Sequence, residues 1–205
     1  MIGTPKRDRQ AERREATRRE ILEAAWDAAH QTSLAGLTLR DIAARVGMQQ
    51  PSLYSHFASK NATYDAMFEQ GWRTFLDHVK GMTADLPAEP RARLTAIAEG
   101  YFDYAVADLA RHQLMDESII PGFQPSPEAY APAVEVYGLM QQELRSMGVT
   151  SDQDADIYTA LIAGLVSQQL ANEPGGQRWR RLIPRVIGMF ADDLGLPIQT
   201  RKRTP

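Results

Sequence analysis

Residues 38–60, TLRDIAARVGMQQPSLYSHFASK, constrain this chain more than any other stretch. They read as a helix, a tight turn at Gly47, and a second short helix that closes on an aromatic-rich hinge. Thr38 followed by Asp41 predicts a capping box, in which the hydroxyl accepts from the backbone three residues on and the carboxylate reaches back. Leu39, Ile42, Ala43 and Val46 then fall at helical spacing and give one apolar face. Gly47 follows where a helix C-terminus needs a residue that tolerates a left-handed conformation. The second helix is expected to start near Gln49, with Pro51 in its first turn, where a missing N–H does no harm. Leu53 and Phe57 lie four apart and can pack together against the first helix. Gln50, Ser52, Tyr54, Ser55 and His56 are left facing outward.

In a helix-turn-helix the second helix enters the major groove of DNA while the first crosses the backbone, and the outward residue types suit that task. Gln can pair with adenine and Ser can reach several base edges. Tyr and Ser hydroxyls, a His and a Lys are partners for phosphate oxygens, which fix register rather than sequence. Lys60 opens the next helix after Ser59, a good N-cap, so a phosphate there would meet an ammonium and free backbone N–H groups. The alternative is an αα-hairpin in a helical bundle whose polar residues face water.

Residues 21–60, from ILEAAWDAAH through TLRDIAARVG to SLYSHFASK, closely resemble the DNA-binding domain of TetR-type transcriptional regulators. The resemblance implies an all-α fold: a three-helix DNA-binding head followed by a helical ligand-binding and dimerisation body. Carried over by position, it makes Thr38, Arg40, Gln49, Gln50, Pro51 and Ser52 candidate base or near-base contacts. Tyr54, His56 and Lys60 match phosphate-contacting positions. Three departures stand out. Gln49 replaces the usual small polar residue before the recognition helix, and a lost cap costs roughly 1 kcal/mol, so that helix is expected to be ordered partly by DNA. Ala29 stands where the family commonly has Phe, with Trp26 one turn earlier expected to fill the space. Asn61 replaces a common acidic residue.

The 205-residue chain carries a net charge of −3, which by itself argues against nucleic acid; its distribution does not. Residues 1–60 hold ten Lys/Arg against seven Asp/Glu, a net +3, and the remainder thirteen against nineteen, a net −6. The basic excess gathers in KRDRQAERREATRR at the start, an arm able to touch phosphate or minor groove or simply to be solvated. Arg18 and Arg19 are its expected contributors, since they join the folded helix. The absence of Cys excludes disulfides, thiolate catalysis and Cys-based metal sites. No run is long enough to span a bilayer, and the first residues lack the apolar segment of a signal peptide, so a cytoplasmic protein with no membrane partner is expected.

Expected domains are a basic arm (1–16), the head (17–63, motif 38–57), a body (64–196) and a tail (197–205) carrying RKR at 201–203. Past residue 60 the pattern is helical throughout, with nine helices in all. A long helix is expected over 59–82, then helices over 89–109, 111–118, 127–147, 151–172 and 177–195, with IIPGFQPSPE (119–128) as a loop. PGFQPSPEAY and SQQLANEPGGQRW resemble a recurring subgroup of TetR-type C-terminal domains.

The last two long helices are rich in apolar residues. Tyr158, Leu161 and Leu165 on one, and Trp179, Ile183, Val186, Ile187 and Phe190 towards the other, are expected at a four-helix dimer interface; the alternative is that they complete the body's own core. Dimerisation would space two heads about 34–36 Å apart for a near-palindromic operator. In similar proteins Trp72, Phe75, His78, Met82, Phe102, Met115, Phe123 and Tyr137 lie on helices around a central pocket, so they are candidate contacts for a small-molecule effector of unidentified structure. No histidine pair falls at i, i+4 spacing, so no metal site is expected. HExxH, GxSxG and a phosphate-binding glycine loop are lacking, so neither catalysis nor a cofactor is expected. The remaining rival is a helical module whose head contacts protein rather than DNA.

Overall fold

The computed structural model describes residues 9–197. Nine α-helices and one 3-10 turn follow one another in this span: α1 (Arg9–Gly36), α2 (Leu39–Arg45), α3 (Gln50–Tyr54), α4 (Lys60–Thr83), α5 (Pro90–Ala107), α6 (Leu109–Asp116), α7 (Pro127–Ser146), α8 (Asp152–Asn172), the 3-10 turn (Arg180–Leu182) and α9 (Ile183–Asp193). No strand occurs among the described residues, so the all-α expectation holds. The second half of the arm read at 1–16 is helical, because α1 already begins at Arg9; residues 1–8 and the RKR tail lie outside the described residues.

The described residues form two compact units, 9–71 with 113–130 and 72–112 with 131–197. The first is larger than the 17–63 head read from sequence. It takes in the first half of α4, α6 from Gln113 onward, and the segment leading into α7. Asp65 anchors that segment, its two carboxylate oxygens accepting from the Ser126 N–H at 2.6 Å and the Ser126 hydroxyl at 2.8 Å. Gly71 allows the approach of α6, for a methyl group there would come within 2.8 Å of Met115 Sδ.

Within the first unit, Ile21, Ala24, Ala25, Ala28 and Ala29 form the buried face of α1. Trp26 is buried too, its indole N–H donating to Gln70 Oε1 at 2.7 Å. α1 is not one uninterrupted helix. Ser33 has φ 70° and ψ 163°, a conformation that suits glycine, and it breaks the helix before a turn through Leu34 to Gly36.

The second unit is built on α5, which packs against both α8 and α9. Its core gathers Leu94, Ala98 and Phe102 of α5, Tyr158, Ile162 and Val166 of α8, and Ile183, Ile187 and Phe190 of α9. The buried Tyr158 hydroxyl donates to the Leu94 carbonyl at 2.7 Å, and burial pushes the phenol up, which keeps it a donor. Arg180 forms a fork to Asp103, at 2.7 and 2.8 Å; that hydrogen bond raises the guanidinium's pKa. Two expected boundaries shift. Asp108 is extended and its carboxylate caps Arg111 N–H at 3.0 Å, so α6 starts at Leu109 rather than at 111. α9 starts at Ile183 rather than 177, because Pro184 has no N–H to give and fits only the first turn.

Candidate nucleic-acid interface

The helix-turn-helix is assembled from short-range chemistry. The Thr38 hydroxyl accepts from Asp41 N–H at 3.1 Å and caps α2. The carboxylate does not reach the backbone as expected; it accepts from the Thr38 hydroxyl itself at 2.6 Å. At the other end Gly47 has φ +68°, its N–H bonds to Ala44 O at 3.3 Å, and Met48 N–H bonds to Ala43 O at 2.9 Å. This pairing is the Schellman closure that a left-handed residue makes possible. α3 follows after two residues, with Pro51 in its first turn and no side-chain cap from Gln49.

α3 is held by what it buries. Leu53 is 0% exposed and Phe57 2%. Gln49, Gln50, Pro51, Ser52, Tyr54 and Ser55 are exposed, as are Thr38 and Arg40 on or beside α2, and His56 is half-buried. The structure therefore brings the candidate base-contacting residues together on the outside of the motif. His56 Nδ1 is buried without a hydrogen-bond partner among the described residues.

Two expected phosphate ligands have internal duties. Arg18 donates to the His56 carbonyl, and its guanidinium lies 4.3 Å from the centroid of the Phe57 ring. It satisfies an orphan carbonyl just past the end of α3 and clamps the aromatic anchor in one gesture. Lys60 donates to the Ala35 carbonyl at 3.2 Å and sits 5.3 Å from the Tyr64 ring centroid. Arg19 is exposed. Ser59 caps α4 as expected, accepting from Ala62 N–H at 3.0 Å.

Sequence reading passed over Arg13 and Arg14. Arg14 donates to the Ser55 carbonyl at 3.2 Å, and both arginines line a cleft of about 350 Å³ with Gln10, Thr17, Ser55 and His56. The signal was present in the chain: Arg14 and Arg18 are four apart, and so share a face of α1.

The candidate effector residues are divided between the two units. Trp72, Phe75, His78, Met82, Phe102 and Tyr137 belong to the second unit, Met115 and Phe123 to the first. In the second unit Phe75 packs against Trp72, Tyr101 and Tyr104, with centroids 5.9, 5.7 and 4.7 Å apart, and His78 lies 5.1 Å from Tyr104. Phe102 belongs to the core, Met82 fills the space left by Gly100, and Tyr137 is exposed. In the first unit Met115 and Phe123 line a cavity of about 260 Å³.

The candidate dimer residues also divide. Tyr158, Leu165, Ile183, Ile187 and Phe190 are buried in the second unit's own core, and Leu161, Trp179 and Val186 are partly buried against it. With α5 packed on both helices, the heavier apolar face of each turns inward. The large apolar residues left outside on this hairpin are Ile157, Leu182 and Met189, 42%, 36% and 64% exposed.

Comparison with known proteins assigns the head. The family described as bacterial regulatory proteins, tetR family, matches residues 21–67. The tetracycline repressor protein class A from transposon 1721 of Escherichia coli is 45% identical over 49 residues, 24% of this chain and 23% of that protein. The HTH-type transcriptional regulator BetI of Yersinia pestis (strain Pestoides F) is 33% identical over 87 residues, 42% of this chain and 44% of that one. The chain thus spans less than half the length of these relatives. Likeness of fold extends further: SCO4313, described as a candidate regulatory protein, superposes with a TM-score of 0.73 at 20% identity, covering 92% of this chain and 100% of that one. Residues 21–67 therefore form a tetR-family helix-turn-helix domain.

Proposed function

We infer that this chain is a ligand-responsive repressor that binds a near-palindromic operator as a homodimer. The observation that carries the reading is the division of α3: Leu53 is fully buried, while Gln50, Ser52 and Tyr54 stand exposed around it. A helix kept only for packing has no use for such a surface, whereas Gln and Ser can read base edges and Tyr can hold a phosphate. That the similar tetracycline repressor is named a repressor supports the direction of control.

Homodimerisation draws on the second unit. Ile157, Leu182 and Met189 are exposed apolar side chains on and around α8 and α9, and Gly164 and Ala160 are exposed small residues that permit close helix approach. Two heads about one turn of DNA apart would then read two half-sites. α4 runs through both units as one helix, so an effector that favours a conformation with wrongly spaced heads would lower DNA affinity by the same factor that DNA lowers effector affinity.

Selection of genomic fragments by the full-length protein, followed by sequencing, tests the reading. The expected result is a small set of enriched fragments carrying two related half-sites with centres one or two helical turns apart. No enrichment over bulk DNA, or retention that does not weaken as salt rises, would leave a protein-binding helical module as the better account.

A further inference from the structure

The geometry points to Arg14 and Arg18 as positioning residues for recognition: they fix the exit of α3, and with it the angle at which Gln50, Ser52 and Tyr54 are presented, rather than serving as phosphate ligands. The effect on DNA rests on the repressor reading above; the effect on α3 does not. Past Tyr54 the helix ends, and the Ser55 and His56 carbonyls receive no backbone N–H among the described residues. Arg14 donates to the first at 3.2 Å and Arg18 donates to the second. The two arginines lie four apart and share one face of α1, which matches them to consecutive carbonyls. Arg18 is half-buried, with its guanidinium 4.3 Å from the centroid of the Phe57 ring. Lysine does not reproduce that planar, forked geometry.

The other end of the motif is held in the same way. Lys60 and Tyr64 of α4, again four apart, donate to the consecutive carbonyls of Ala35 and Leu34 at 3.2 and 2.5 Å. The segment from α2 to α3 is thus gripped at its entry by α4 and at its exit by α1, with every one of these bonds inside one compact unit. What lies between needs such grips, for α3 has five residues and no side-chain cap and is too short to hold its own axis. Base readout requires atoms to meet at hydrogen-bond distance, whereas attraction to phosphate is independent of sequence. Loosening the exit of α3 therefore costs sequence discrimination before it costs general affinity.

The test compares full-length wild type with Arg14→Lys/Arg18→Lys on the operator fragment recovered by selection and on unrelated DNA of equal length, each over a salt series. Lysine keeps both charges but ends one bond short of the guanidinium nitrogens. Operator affinity is expected to fall about tenfold, while affinity for unrelated DNA stays within about twofold and keeps its salt slope. Arg14→Lys alone changes an exposed side chain and so spares the fold; it is expected to lose about threefold, on the operator only. Unchanged operator affinity, or an equal loss on both DNAs, overturns the assignment. Hydrogen exchange of the DNA-free protein is the second readout. The Ser55, His56 and Phe57 amides, which bond to the Ser52 and Leu53 carbonyls, are expected to exchange about tenfold faster in the double variant, while the Ile42 and Val46 amides keep their protection. Unaltered exchange at 55–57 overturns the positioning role even if DNA affinity falls. If the wild type binds no DNA, faster exchange there leaves the clamp standing and removes the repressor reading.

Discussion

The five residues of α3 and the twenty-one of α8 are ordered in opposite ways. α3 is too short to persist alone, has no side-chain cap and buries only Leu53. Its order is lent by neighbours: the Gly47 closure before it, the Arg18 clamp after it, and Phe57 beneath. α8 is capped by Ser151, whose hydroxyl accepts from Asp154 N–H at 3.4 Å, and buries Ala155, Tyr158, Ile162, Leu165, Val166 and Gln169. A helix held by others keeps its outer surface free to meet a partner, whereas a helix that supplies the core spends its best side chains inward. The pattern of likeness follows the same line. Identity of 45% extends over 49 residues and the family match over residues 21–67, while the likeness that covers 92% of the chain, at 20% identity, is of fold alone. Core packing asks mainly for apolar character and volume, but a contacting surface asks for particular atoms.

The sharpest way to break this contrast is to remove what α3 borrows. Phe57→Ala takes away a ring that is 2% exposed and should cost about 3–5 kcal/mol. Hydrogen exchange should show the loss in α2 and α3 amides while those of α8 keep their protection; uniform loss across both units would show that the head has no local order of its own to lose. On the other side, Met189→Asp changes a residue that is 64% exposed. It should leave monomer stability within about 0.5 kcal/mol yet shift the dimer to monomer by light scattering, and an unchanged mass would remove α9 from the proposed interface.

Smaller effects sharpen the account of the head. Lys60→Ala loses the bond to Ala35 and should lower head stability by about 1 kcal/mol, measurable by urea denaturation without any DNA. If stability is unchanged and only DNA affinity falls, Lys60 is a phosphate ligand and nothing more. Ser33→Gly relieves the φ of 70° but gives up the Ser33 hydroxyl that accepts from Gly36 N–H at 3.4 Å, so a gain of under about 1 kcal/mol is expected. A loss of stability there would mean that the hydroxyl outweighs the backbone.

What the chain made legible was local. The Thr38 hydroxyl cap, the Gly47 turn and the Leu53/Phe57 anchor depend on residues within five positions of one another and stand as read; the Asp41 half of the capping box does not. The break at Ser33 was hidden because no glycine marks it; it is imposed by tertiary contacts, among them the Tyr64 bond to Leu34. The α6–α7 segment reads as a loop, and contacts distant in sequence, such as the Asp65–Ser126 pairing sixty-one residues apart and Phe123 on Tyr64, bring it into the first unit. On α8 and α9, periodicity identified apolar faces but not which of them α5 would cover. Thus Ile157 was passed over, and Tyr158, Ile183 and Phe190, expected at a dimer interface or in the body's own core, lie in that core.

The central claim, that the outward face of α3 is a nucleic-acid reader, is tested most directly by fluorescence anisotropy of the full-length protein on its selected DNA across a salt series, wild type beside Gln50→Ala/Tyr54→Ala. Both substituted side chains are exposed, so folding should be intact. The account predicts tight wild-type binding that falls linearly with the logarithm of salt concentration as counterions are released, and binding by the variant reduced to its level on unrelated DNA. Equal affinity of wild type and variant, or affinity indifferent to salt, would contradict it.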